Sequence, residues 1–403
     1  MKILVINAGS SSLKYQLIDM DNEQMVCKGN CERIGMPGGI FTHKTADGRE
    51  LKKTVNMLDH AAAFMQVKNA LIDGEYGVIK SLEEVSAVGH RIVQGGAIFH
   101  ESVLVDEKVI EDIESLIPLA PLHNKAHSQG IRACREVFGE QVPEVVVFDT
   151  AFHATMPPKA YMFNVPYEYY EKYAVRRYGF HGTSHRYVTL RAAELLGKDP
   201  KDLKIVSCHL GNGSSLAAVD GGKCVDTSMG LTPLAGLPMG TRAGDMDVGV
   251  IEYVANKYDR SISSVMEGLN KRSGMMGLSG VSSDFRDLEA AAAKGHHRSA
   301  IALRIFEYRV HKMIAEYAAA MNGVDVVIFT AGVGENAPST RAHILEGLEF
   351  MGITCDEEKN NTRGEERIIS KDGAPVTVMV IPTNEELMIA QDTLSIVEEN
   401  KNK

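Results

Sequence analysis

Residues 2–19 read KILVINAGSSSLKYQLID. An apolar run, Lys2–Ile6, passes into Asn7, Gly9 and three serines, and a second apolar run carrying Lys14 follows at once. Residues 204–220, KIVSCHLGNGSSLAAVD, repeat the layout, and each copy closes on an aspartate, Asp19 or Asp220. Apolar run, small-residue turn, apolar run is the pattern of a β-hairpin. Two such hairpins about 200 residues apart read as two related halves, each beginning with the same strand–turn–strand unit.

Around these hairpins, short apolar runs alternate with helical patterns, which predicts an α/β fold. Lys2–Ile6, Val85–Val93, Glu144–Phe148, Leu203–Cys208, Val324–Thr330 and Val376–Ile381 read as buried strands. In 300–321, Ile305/Phe306, Val310, Met313/Ile314, Tyr317 and Met321 recur at three- and four-residue spacing, the stripe of a core-facing helix. A length of 403 residues exceeds one ordinary core, so two or three domains are expected. The stretch 155–180, rich in proline and aromatics and without a period, places a boundary near residue 150. Thr383 with Glu386 three residues on reads as a capping box, starting a final helix that runs toward Glu399.

Composition narrows the partners. A net charge of −10 argues against nucleic acid, because nothing would supply the phosphate-neutralising term. It leaves small anions open, since a few local arginines outweigh a distant acidic surface. No apolar stretch approaches the roughly 18 residues of a membrane span, so no membrane partner is expected. MKILVI is too short for a signal-peptide core. The six cysteines contain no CxxC pair and read as thiols in a reducing compartment, with the cytoplasm the expected location.

Three glycine turns each follow an apolar strand: Asn7–Ser12, Gly211–Ser215 and Gly332–Asn336. Glycine lets backbone N–H groups approach a ligand and serine adds hydroxyls, which together cradle phosphate oxygens. One such turn is an ordinary tight turn. Three in one chain, one with Lys14 beside it, favour an anion. Neither GxxxxGK[ST] nor a GxGxxG after the first strand is present, so no P-loop or dinucleotide fold is indicated.

Arg91 and Arg242 stand among glycines, in GHRIVQGG and MGTRAGD, where a guanidinium has little side-chain cover and presents its fork to carboxylate or phosphate. His123/His127 and His181/His185 have helical i,i+4 spacing, but without HExxH or a third ligand they do not read as a metal site. His181 reads as a hydrogen-bond donor to an anion, and His296-His297 as a solvated helix connection. Asp149 ends the strand 145–148, where a doubly wound sheet places its ligands. Glu385 is left free by the capping box for a metal or its water shell.

Together these stretches resemble the acetate kinase family, of the superfamily that also holds sugar kinases, heat-shock chaperone ATPases and actin. The match runs through NAGSSSLK (7–14), GHRIVQGG (89–96), FDTAFHATMP (148–157), RRYGFHGTSH (176–185), HLGNGSS (209–215), DTSMGLTPLAGLPMGTRAGDMD (226–247), SSDFRD (282–287), FTAGVGEN (329–336) and PTNEE (382–386). The resemblance implies two duplicated ribonuclease-H-like domains, an actin-like ATPase fold around a central cleft. Residues 1–150 with 383–403 would form the N-terminal domain, carrying the first phosphate hairpin and the metal-binding glutamate. Residues 151–382 would form the C-terminal nucleotide-binding domain. The implied reaction is acetate + ATP ⇌ acetyl phosphate + ADP, with Mg²⁺ or Mn²⁺, in a homodimer.

By motif match Asn7 and Glu385 would hold the metal, and Lys14 would contact nucleotide phosphate. His209, Leu210, Gly211, Asn212, Gly213, Asp284, Phe285, Arg286, Gly332, Val333, Gly334, Glu335 and Asn336 would line the ATP site. Arg91, Val93, Leu122, Phe180 and Pro233 would bind the carboxylate substrate, and Asp149, His181 and Arg242 would be catalytic. Acetate is ionised at neutral pH and needs no base to attack phosphorus. It needs relief from repulsion, so Asp149 is expected to position an arginine or the metal shell, and transfer to be direct and in line. A propionate or butyrate kinase of the same family, or an actin-like ATP-binding module, are the alternative readings.

Overall fold

The hairpin at the head of the chain forms β1 (Lys2–Ala8) and β2 (Ser12–Asp19), with Asn7 opposite Lys14. In this computed structural model, which describes residues 1–121 and 123–401, the sheet continues through β3 (Gln24–Glu32), β4 (Ile40–Thr45), β5 (Glu50–Thr54), β6 (Val85–Ile92), β7 (Val103–Leu104) and β8 (Glu144–Phe148). Its order is β5-β4-β3-β2-β1-β6-β8-β7, with β6 parallel to both β1 and β8. This sheet belongs to one compact unit, Met1–Phe152 with Asn384–Lys403.

Alternation explains why Ile3–Ile6 of β1 is an unbroken apolar run. Leu4, Ile6 and Ala8 enter one core with Phe64, Val67 and Val137 from helices 60–71 and 124–138. Ile3 and Val5 enter another, with Ile389, Ala390 and Val397 from helix 385–401. A strand covered on both faces has no polar side to display.

The other unit, His153–Thr383, holds β9 (Lys204–Leu210), β10 (Ser214–Asp220), β11 (Lys223–Thr227), β12 (Val326–Thr330), β13 (Arg367–Ile368) and β14 (Thr377–Val380). The order is β11-β10-β9-β12-β14-β13, with β12 parallel to β9 and β14. Without the edge strands the two sheets read β3-β2-β1-β6-β8 and β11-β10-β9-β12-β14, an antiparallel meander followed by two parallel strands in each. The duplicated ribonuclease-H-like fold is therefore present, and the sequence echo marks its first hairpins. Helix 297–320 lays Phe306, Val310, Ile314 and Tyr317 against Val206, Cys208, Val327 and Phe329, as its periodicity predicts. No helix is long and apolar enough to cross a membrane among the described residues.

Two local expectations change. The final helix begins one residue later than the capping box implied: Asn384 Oδ1 accepts from Leu387 N at 3.1 Å, while Thr383 N donates to Glu335 Oε1 at 3.1 Å. Asn384 is as good a cap as threonine, and Thr383 is taken by a tertiary partner. His296 is the N-cap of helix 297–320, accepting from Ser299 N at 3.2 Å, and not merely a solvated connection.

Gly89 on β6 is crossed closely by the last helix: a side chain there would run into Ile389 and Thr393. Gly89→Val is expected to lower the thermal midpoint, with overpacking of about 1–3 kcal/mol. A scanning-calorimetry trace matching wild type would contradict this packing.

Candidate functional site

In the first unit, parallel pairing of β6 and β8 brings Arg91 and Asp149 to one end of the sheet. Arg91 Nε and Nη2 donate to Asp149 Oδ1 and Oδ2, each at 2.8 Å, a two-pronged pair that fixes the guanidinium plane. Arg91 Nη1 is 3.9 Å from Glu385 Oε2. Burial works against the Arg91 charge, but Asp149 and Glu385 outweigh it and raise its pKa. Glu385 is pushed above the usual carboxylate range by burial, with Asp149 and Glu386 adding to the shift and Arg91 opposing it. That end of the sheet is thus short of positive charge.

Ile6 pairs with His90, so Asn7 reaches the same sheet end as Arg91; it is half-buried, and Lys14 opposite it is exposed. The amide oxygen of Asn7 and the carboxylate of Glu385 are hard donors of the kind Mg²⁺ takes, and the charge deficit suits a divalent cation. Val93 N donates to His127 Nε2 at 3.3 Å. Burial, with His123 and Arg91 nearby, depresses His127 to about 3, so it stays neutral and keeps that lone pair. Leu122 lies outside the described residues. A separate buried group, His90, Cys134 and Glu144, also has metal-ligand chemistry, but Arg135 Nε stands 3.5 Å from the Glu144 carboxylate and supplies positive charge already.

In the second unit, the turn 211–213 gathers the remaining candidates. His181 has φ +59°, a left-handed conformation that costs a non-glycine residue about 1 kcal/mol, and it precedes helix 182–196. The point where a Gly213 Cβ would stand is 3.3 Å from His181 Nε2 and 3.7 Å from Arg242 Nη1. Both groups therefore converge on one glycine, and a side chain would crowd them. Among the described residues Arg242 Nη1 donates only to the Pro233 carbonyl (3.3 Å) and, weakly, to Met239 Sδ (3.7 Å). Burial lowers its pKa, and among the described residues no carboxylate pairs with it. A half-buried guanidinium without a counter-ion is arranged for an anion from outside.

The glycine loops adjoin one another. A Gly211 Cβ would stand 3.9 Å from Gly332 N, so the turns after the parallel strands β9 and β12 abut. Gly240, whose N donates to Asn212 O at 3.0 Å, leaves no room for a side chain beside Asn212, and a Cβ there would lie 3.3 Å from Ser283. Asp284 caps helix 285–293 and holds the exposed Arg286, with Nε to Oδ1 at 3.0 Å. Not every side chain of these motifs is displayed. Leu210, Val333 and Phe285 are core residues, the last edge-on to Phe306 at 4.7 Å. Glu335 braces the loop, accepting from Ala331 N at 2.7 Å, and Asn336 Nδ2 donates to Gly332 O at 3.0 Å. Phe180 is buried and Pro233 half-buried, both in this unit.

Sequence reasoning missed the support beneath His181. Ser207 and His209 alternate on one face of β9, and Ser215 faces His209 across the hairpin, so this face is polar where the other is core. The i,i+4 pair His181/His185 stands over it and is joined by Ser215. The readable signal was the polar alternation in KIVSCHL, against the unbroken apolar run of β1.

A sequence model of the Acetokinase family matches residues 2–391. The chain is 56% identical to the acetate kinase of Thermoanaerobacter pseudethanolicus over 398 residues, 98% of this chain and 99% of the relative. It is 55% identical over 403 residues to that of Clostridium novyi, covering 100% of both. Among solved structures it resembles Porphyromonas gingivalis acetate kinase, with TM-score 0.96 and 46% identity over 98% of this chain and 99% of the other. It also resembles a propionate kinase from Francisella tularensis, with TM-score 0.91 and 40% identity over the same shares.

Glu385 yields a test. Its raised pKa means the folded state carries a penalty whenever the carboxylate is charged, above its folded pKa, and the penalty fades as pH falls through that value. Glu385→Gln is therefore expected to raise the thermal midpoint of chelator-treated protein at pH 8, while abolishing the further rise that Mg²⁺ gives wild type. A lower midpoint in the variant would contradict the charge deficit.

Proposed function

The chain belongs to the acetokinase family, and on that premise we propose that it is an acetate kinase, transferring a phosphoryl group reversibly between ATP and acetate to give acetyl phosphate and ADP. The observation that carries the mechanism is Arg242, a half-buried cation with no carboxylate among the described residues, beside His181 at the turn that holds Gly213. A nucleotide switch would have no use for such a pair. Arg91 takes the carboxylate substrate on the guanidinium edge that Asp149 leaves open. His181 and Arg242 take the charge that spreads over the equatorial oxygens of the transferring phosphoryl group. A carboxylate oxygen bonds to phosphorus as the bond to ADP breaks, and the electron pair leaves with ADP. No proton moves in this step, so no base is needed.

Asp149 is then a positioning residue, whose two hydrogen bonds hold Arg91. Asn7 and Glu385 would hold Mg²⁺, or Mn²⁺ in its place, and Lys14 would meet nucleotide phosphate. When bound, the ion neutralises phosphate charge. The backbone of the loops at 209–213, 284–286 and 332–336 would receive the nucleotide. Acetate is favoured over propionate as substrate by the curated relatives at 54–56% identity, which are named acetate kinases. The bulk of Val93, Phe180 and Pro233 points the same way. Six free cysteines, five of them buried, fit a cytoplasmic setting. A homodimer is favoured by large apolar side chains left exposed near the helices 249–258 and 262–271, among them Val248, Tyr258 and Ile262.

Steady-state kinetics with MgATP test this reading. Arg91→Ala is expected to raise KM for acetate at least about tenfold, and Arg242→Ala to lower kcat by about 10³ with little change in KM. Asp149→Asn should lose about 10² or more in kcat/KM, with no recovery from added small bases. Recovery would make Asp149 a base. In a hydroxamate assay acetate should outpace propionate, and propionate butyrate; the reverse order would favour the propionate kinase reading.

A further inference from the structure

Beneath His181 lies a buried chain of rings and hydroxyls. His181 Nδ1 is 2.9 Å from Ser215 Oγ, which is 2.8 Å from His185 Nε2; His185 Nδ1 is 2.8 Å from Ser207 Oγ. Ser207, Ser215 and His185 are fully buried, so no solvent completes these contacts. His185 is kept neutral: burial first, then His153 and His209, hold its pKa well below the ordinary value. A neutral imidazole has one N–H, and a serine hydroxyl has one proton for two ring neighbours.

Those two counts leave two arrangements. In one, Ser207 donates to His185 Nδ1, His185 Nε2–H donates to Ser215, and Ser215 donates to His181 Nδ1, which leaves the His181 proton on Nε2. In the other, every bond is reversed and His181 carries a proton on Nδ1. The turn decides between them. His181 Nε2 is the ring atom nearest the Gly213 position that Arg242 also approaches, and its ring stacks on His209 with centroids 4.1 Å apart. With His181 neutral, the second arrangement leaves Nε2 bare and aims a lone pair at an anion held there, whereas in the first Nε2–H donates to it.

We propose that Ser215 and His185 are positioning residues for phosphoryl transfer, fixing the proton of His181 on Nε2 through the buried chain Ser207–His185–Ser215. This rests on the catalytic assignment of His181 made above. One hydroxyl couples the two rings, so His181 takes a proton at Nδ1 only if His185 moves its own from Nε2 to Nδ1.

Kinetics of Ser215→Ala, Ser215→Thr, His181→Ala and the Ser215→Ala/His181→Ala double variant test the chain. Ser215→Ala is expected to lower kcat about tenfold or more, with KM for acetate and ATP within about twofold of wild type. Ser215→Thr, which keeps the hydroxyl, should recover most of that loss, and the double variant should be no slower than His181→Ala alone. An unchanged kcat in Ser215→Ala, or an added loss in the double variant, overturns the proposal. Wild-type kcat in His181→Ala would instead remove the assignment of His181 on which it rests. Should Ser215→Ala not fold, ¹⁵N-histidine NMR of the wild-type protein at pH 8 decides: His181 and His185 are both expected as Nε2–H tautomers, and a His181 Nδ1–H overturns the proposal.

Discussion

Two hydrogen bonds of 2.8 Å, from Arg91 Nε and Nη2 to the Asp149 carboxylate, hold a guanidinium at the end of the first sheet. That pair exists because β6 and β8 run parallel and in register, and both strands are kept in place by apolar cover on two faces. A carboxylate substrate and a nucleotide phosphate repel one another, so the chemistry needs cations whose positions are set before either arrives. Asp149 supplies such a position at the cost of half the donor fork. The remaining edge is the one proposed to meet the substrate.

The second unit holds its cation by the opposite means. Arg242 has no carboxylate partner among the described residues, and burial lowers its pKa, so its charge is least satisfied when no anion is present. His181 is held by a strained backbone and a buried hydroxyl. One cation is oriented by an acid and the other is left in want of one. The second arrangement favours an anion that brings the missing charge, and the first a cation beside its carboxylates.

Much of this was legible in the sequence, for reasons that differ by residue. The repeated hairpin was readable because β1 and β9 both end in small-residue turns, and five of the six buried strands stood out because parallel strands are apolar on both faces, β9 through its core face alone. The strands β3, β4 and β5 were not foreseen, since an edge meander such as ELKKT in β5 is mostly exposed and polar. Arg91 and Asp149 were each singled out, but their pairing depends on strand register, which no local pattern states. Thr383 carried the pattern of a cap and lost the role to Asn384, because Glu335, distant in sequence, binds its N–H. The Ser215–His185 support was hidden in the same way, by contacts about 30 residues apart.

On the proposed mechanism charge relief suffices, so that acetate attacks phosphorus directly and the protein forms no covalent phosphate. The most direct measurement is the stereochemical course at phosphorus, using ATP made chiral by oxygen isotopes at its γ-phosphoryl group. Direct in-line transfer predicts net inversion in the acetyl phosphate formed. Net retention would mean two successive displacements through a phosphorylated side chain, and would contradict direct transfer.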